Sequence, residues 1–128
     1  MRVRLAILSV LVGSTLLGPV PAGADDVAPR VITITAKRFE FNPKEVRLKK
    51  GETVVLRLTS EDVTHGLMVR ALHLDMDIEP GKTTDVKVTP TTAGRFTAIC
   101  DHFCGSGHGN MKMTFIVDDE ERTAANSD

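Results

Sequence analysis

From Val31 onward the apolar positions recur with a period near two, the spacing of a half-buried strand, and few stretches follow the repeat of a helix. Val31-Ile32-Thr33-Ile34-Thr35 is β-branched throughout and predicts a strand, because branched side chains pack well on a pleated surface. Phe39 and Phe41 straddle Glu40, and Asn42-Pro43 ends that piece. Val46 and Leu48 alternate up to Lys49-Lys50-Gly51-Glu52, a polar turn with glycine where a positive φ is needed. Thr53 to Thr59 is the strongest single strand pattern. Further strands are expected over His65 to Leu72, Thr84 to Thr89, Arg95 to Cys100 and Lys112 to Val117. Glu79-Pro80-Gly81-Lys82 and Ala93-Gly94 supply turns between them. About seven short strands separated by turn signals predict an all-β fold, an antiparallel Greek-key sandwich or barrel.

The two ends break this pattern. Residues 1–24 read as a secretory signal peptide. Arg2 and Arg4 give the positive start, and Leu5 to Gly18 is apolar but short for a bilayer span, which disfavours an uncleaved anchor. Pro19 and Pro21 break the run, and Ala22-Gly23-Ala24 offers small residues for cleavage. Residues 25–30 are expected as an N-terminal extension, 31–117 as the folded domain and 118–128 as a disordered acidic tail. The expected compartment is the periplasm, and the expected mature chain has no membrane span.

Composition then narrows the chemistry. The 128 residues suffice for one domain, 41% hydrophobic and 26% charged. Sixteen basic residues against seventeen acidic leave nothing to grip phosphate, and removing Arg2 and Arg4 with the leader leaves 14 against 17, or −3. Nucleic acid is therefore a poor partner, the more so with no Trp and no Tyr to stack on bases. Two cysteines make at most one disulfide, so this is no crosslinked scaffold.

The candidate chemistry lies in one loop between strands, Cys100-Asp101-His102-Phe103-Cys104-Gly105-Ser106-Gly107-His108-Gly109-Asn110-Met111. Its spacing is C-x3-C-x3-H-x2-M, a set of soft and borderline donors that suits copper over magnesium or calcium. Gly105, Gly107 and Gly109 let such a loop close tightly. Three other readings stand beside this one. A disulfide is common in an exported protein but leaves His108, Met111 and the glycines unexplained. A zinc site could use Cys100, Cys104 and His108, although structural zinc rarely recruits methionine. A Cys–His nucleophile is conceivable, but no substrate cleft is recognisable. His73, in Leu72-His73-Leu74, is expected on the surface, Met68 and Met113 in the core, and Arg57, Arg70 and Arg95 toward solvent.

The loop resembles the binuclear copper loop of cytochrome c oxidase subunit II and nitrous oxide reductase, the CuA site carried on a cupredoxin β-sandwich. That family also takes a histidine from an earlier strand in a segment of Asp-Val-x-His type, which here is Asp62-Val63-Thr64-His65-Gly66, with His65 lying 35 residues before Cys100. The Phe-x-Phe-x-Pro stretch at Phe39, Phe41 and Pro43, Lys50-Gly51 and Pro80-Gly81 are similar to cupredoxin punctuation. The resemblance covers roughly residues 31–117. It implies two copper ions bridged by the thiolates of Cys100 and Cys104, one capped by His65 and the other by His108. Met111 would be a weak axial ligand, and the backbone carbonyl at His102 would be the other. The family usually has Glu or an aromatic residue at that last position.

The resemblance further implies one-electron transfer by a soluble monomeric carrier or relay, since this sequence shows neither paired membrane helices nor a second catalytic domain. A c-type cytochrome or a membrane oxidase complex is the partner it suggests. Two other roles remain open: copper delivery or storage during oxidase assembly, and a mononuclear cupredoxin carrier in which Cys104 is idle. Asp62, Asp101, Ser106 and Asn110 are candidates to hydrogen-bond the ligands, and Phe103 to shield the site or form a docking surface.

Overall fold

The computed structural model describes residue 18 and residues 27–119. Nearly all of the expected leader, and the expected tail beyond Asp119, lie outside the described residues.

Among the described residues nine strands form where short alternating segments occur: β1 (Arg30–Lys37), β2 (Glu40–Asn42), β3 (Glu45–Lys49), β4 (Val54–Ser60), β5 (His65–Val69), β6 (Leu74–Ile78), β7 (Thr84–Val88), β8 (Gly94–Ile99) and β9 (Lys112–Asp118). They build two sheets, one in the order β2-β1-β4-β7 and the other in the order β3-β9-β8-β5-β6. Alternation does what it promised in β4, where Val54, Leu56 and Leu58 are buried and Arg57 between them is exposed. On β9 the same rule buries Met113, Phe115 and Val117. One apolar core takes Ile34, Leu56 and Leu58 from the first sheet and Leu48, Leu67 and Phe115 from the second. Outside it, Arg57 and Asp85 pair through two hydrogen bonds of 2.9 Å on neighbouring strands.

The expected all-β sandwich is therefore observed, with three adjustments. The sheets are mixed and not wholly antiparallel, because β1 lies parallel to β4 and β3 parallel to β9. Parallel neighbours need a long connection, and here the chain visits the opposite sheet between the two members of each pair. Period-two patterning reports which face is buried but not the direction of the neighbour.

Second, the strand expected over His65 to Leu72 stops at Val69, where Arg70–Leu72 forms a 3-10 turn. His73 follows with φ of 51° and reverses the chain into β6, a strand that the sequence analysis did not anticipate. Leu74 and Ile78 of β6 point inward while Asp75 and Asp77 point out. Third, the first and last strands extend to Arg30 and Asp118. His73, Arg57, Arg70 and Arg95 are exposed and Met113 is buried, as expected; Met68 is half-buried.

Candidate metal centre

The loop expected to carry the chemistry is pinned at its base. Leaving β8, the Cys100 N–H donates to the Met111 carbonyl at 3.0 Å, just before β9 begins. Within the loop a 3-10 turn over His108–Asn110 is closed by Met111 N–H donating to the His108 carbonyl at 3.1 Å. The sheet thus sets where the loop starts and ends, and the glycines absorb its curvature. Gly105 sits at φ of 136°, a conformation in which a side chain would be strained.

Two distant segments meet there. His65 opens β5 and is fully buried. Donor atoms of His65, Cys100 and Cys104 all lie within 4.8 Å of one another. The Cys100 and Cys104 sulfurs are 3.7 Å apart and both cysteines are free and buried. Cys104 Sγ lies 3.8 Å from Met111 Sδ and 3.9 Å from His108 Nδ1. Met111 is buried, whereas His108 is half-buried with its ring tilted against the exposed Phe103, centroids 5.8 Å apart. The His102 carbonyl stands 3.2 Å from Cys100 Sγ, while its exposed imidazole has Nδ1 3.1 Å from the Phe103 carbonyl. The six singled-out residues, His65, Cys100, His102, Cys104, His108 and Met111, therefore lie together, with His102 presenting its backbone oxygen to the Cys100 sulfur.

A metal fits this arrangement on its own chemistry. His65 Nε2 donates to Asp62 Oδ1 at 2.7 Å, which leaves Nδ1 as a bare lone pair. That Nδ1 is buried and has no hydrogen-bond partner, a cost of about 1–3 kcal/mol that a metal ion would offset. The sulfur separation is also telling. It is far beyond a disulfide bond of about 2.05 Å. Two thiolates held at about 2.3 Å from a shared ion with a tetrahedral angle would sit about 3.8 Å apart.

The electrostatics agree with a site built to receive positive charge. Burial pushes the Cys104 thiol up to about 11, reinforced by its hydrogen bond with Cys100 and by the negative charge Cys100 would carry. A cation bound between the sulfurs would offset the cost of the buried thiolate charge. Burial also pulls the Asp62 carboxyl upward. It is outweighed by hydrogen bonds from the Arg38 N–H, His65 Nε2 and the Val63 N–H, which bring it down to about 2. Asp62 is therefore an anion that fixes the His65 tautomer. Asp101 is shifted up by burial and by its hydrogen bond and charge repulsion with Asp75.

Of the expected supporting residues, Asp62 holds His65 and Asp101 covers Gly66. Ser106 and Asn110 are exposed. Gly66 has no room for a side chain, since a Cβ there would collide with Asp101 Oδ1 and lie 2.8 Å from the His102 nitrogen. Its N–H instead points at Cys100 Sγ, 3.5 Å away. Phe103 is 74% exposed and stands as surface beside His108. The sequence analysis missed Arg38. Its Nε–H donates to the Cys104 carbonyl at 2.8 Å, and the Phe39 ring next to it fills the space that Cβ atoms at Gly105 and Gly107 would occupy.

Comparison with known proteins agrees with this geometry. Residues 6–117 match the cupredoxin-like domain family. The chain is 31% identical over 86 residues to cytochrome c oxidase subunit 2 of Thermus thermophilus, covering 67% of this chain and 64% of that protein. It is 33% identical over 91 residues to nitrous-oxide reductase of Cupriavidus necator, covering 68% of this chain but only 14% of the reductase. The chain thus spans less than two thirds of these relatives. The periplasmic domain of subunit II of cytochrome oxidase from Bradyrhizobium japonicum shares the fold, with a TM-score of 0.65 at 18% identity over 75% of this chain and 88% of that domain. Among the described residues no helix is long and apolar enough to cross a membrane.

Proposed function

We propose, given that this chain belongs to the cupredoxin-like domain family, that it is an exported copper protein whose dinuclear CuA-like centre passes single electrons between protein partners. The observation that carries the reading is the pair of free, buried sulfurs at 3.7 Å beside the unpartnered His65 Nδ1. The thiolates of Cys100 and Cys104 and the imidazoles of His65 and His108 would hold the copper, with the Met111 thioether and the His102 carbonyl as weaker donors. Copper bound there supplies a reversible one-electron couple.

The chain's own residues account for the rest. Asp62 holds the His65 ring through Nε2 and leaves Nδ1 without a hydrogen bond, and the Met111 carbonyl anchors Cys100 where β8 ends. The buried sheet excludes water from the inner donors, while half-buried His108 and exposed Phe103 place one edge of the centre at the surface, where a partner can approach. Little in this frame needs to move when the charge of the centre changes, and that is the requirement for fast electron exchange. Reduction of oxygen or nitrous oxide belongs to the larger relatives, and for this chain we assign a relay role. A c-type cytochrome or an oxidase complex is the partner class, and the periplasm is the compartment.

Substituting Cys104→Ser tests the bridge. The expected result is at most one copper per chain and loss of the purple absorption of a dinuclear centre. Unchanged copper content and spectrum would leave Cys104 idle and favour a mononuclear carrier.

A further inference from the structure

Arg38 occupies the turn between β1 and β2, far in sequence from every donor, yet it touches both halves of the centre. Its backbone N–H donates to Asp62 Oδ2 at 2.7 Å, on the carboxylate whose other oxygen holds His65. Its Nε–H donates to the Cys104 carbonyl at 2.8 Å, across 66 residues of chain. The same nitrogen lies 3.5 Å from where a Gly105 Cβ would stand, and the Phe39 ring packs under Gly105 and Gly107. The turn therefore grips the loop at the backbone of Cys104, the residue whose sulfur lies 3.8 Å from Met111 Sδ and 3.9 Å from His108 Nδ1. A carbonyl could be satisfied by any donor, water included. A guanidinium adds a fixed direction and a permanent positive charge close to the thiols.

We infer that Arg38 is a positioning residue of the metal centre: its guanidinium locks the Cys104–Gly105 peptide and its charge favours the electron-rich, reduced state. The inference deepens the copper reading above and rests on it for the redox part only. A cation near a centre stabilises whichever state carries the more negative charge, and reduction adds one electron. Losing the charge therefore lowers the reduction potential, and losing the directed bond loosens the loop.

Two variants and two readouts test this. Arg38→Met removes charge and donor while keeping the length of the stem, and Arg38→Lys keeps the charge. Without copper, amide exchange of the loop from Cys104 to Met111 should quicken about tenfold in Arg38→Met, and that of β4 should not. With copper, Arg38→Met should move the equilibrium with a redox mediator about three- to tenfold toward the oxidised form, and Arg38→Lys should restore most of that shift. A lower melting temperature with unchanged loop exchange and unchanged potential would make Arg38 an ordinary surface contact and overturn the inference. Should the wild-type chain take up no copper, the electron-transfer reading falls. Loop exchange then decides alone whether Arg38 braces the loop.

Discussion

Strand β4 and the loop from Cys100 to Met111 are both tightly packed, but for opposite physical reasons. In β4 the buried positions are Val54, Leu56 and Leu58, and each gains from leaving water. In the loop and the strand end beside it, the buried groups are two thiols, a thioether and a histidine with an unpartnered nitrogen. The thioether and thiols gain from burial as other apolar groups do, but the orphaned His65 nitrogen is held out of water by the sheet around it at a cost. One region is where stability is made. The other is where it is held back in a form that a metal can recover.

Three substitutions or conditions would sharpen that contrast. The largest effect should come from the core: Phe115→Ala removes a fully buried ring on β9 and should cost about 3–5 kcal/mol in chemical denaturation of the copper-free domain. Next is acid. The Asp62 carboxyl is held at about 2 against an ordinary 3.8, so its stabilising contribution is complete above the higher value and is lost as pH falls toward the lower one. Across that window the copper-free protein should lose stability from this residue, by less than the full shift implies because solvent screens the exposed carboxylate, and Asp62→Ala should show a shallower acid arm. The smallest effect on the copper-free fold should come from His65→Leu, within about 1 kcal/mol, because it replaces a buried group with an orphaned lone pair by an apolar one of similar size. Copper uptake should nevertheless collapse in that variant. A loss as large as that of Phe115→Ala would erase the distinction between the two regions.

Much of this was legible in the residues, and the gaps have physical causes. The segments that alternate, Thr53 to Thr59 and Lys112 to Val117, form strands at nearly the expected positions because burial of one face is a local property. Leu74-Asp75-Met76-Asp77-Ile78 alternates equally well, but its two aspartates depress strand propensity, and nothing local marked the turn at Arg70–Leu72. The parallel partnerships of β1 with β4 and β3 with β9 depend on crossovers between sheets, a global property that local patterning does not encode.

That Cys100, Cys104, His108 and Met111 would lie near one another was readable because they share one short loop, and His65 was singled out through the resemblance of its Asp-Val-x-His segment. The roles of the neighbours were less so. Gly66 and Asp101 touch only because the loop folds over the edge of β5, and Arg38 reaches Cys104 from 66 residues away. No spacing rule connects residues that meet only in the folded sandwich.

The central proposal is a dinuclear copper centre across Cys100 and Cys104. It is tested most directly by copper analysis and an EPR spectrum of the reconstituted, oxidised protein. Two copper ions per chain with hyperfine splitting from two equivalent nuclei is the predicted result. One copper with splitting from a single nucleus, or bound copper that stays EPR-silent under oxidant, would contradict it.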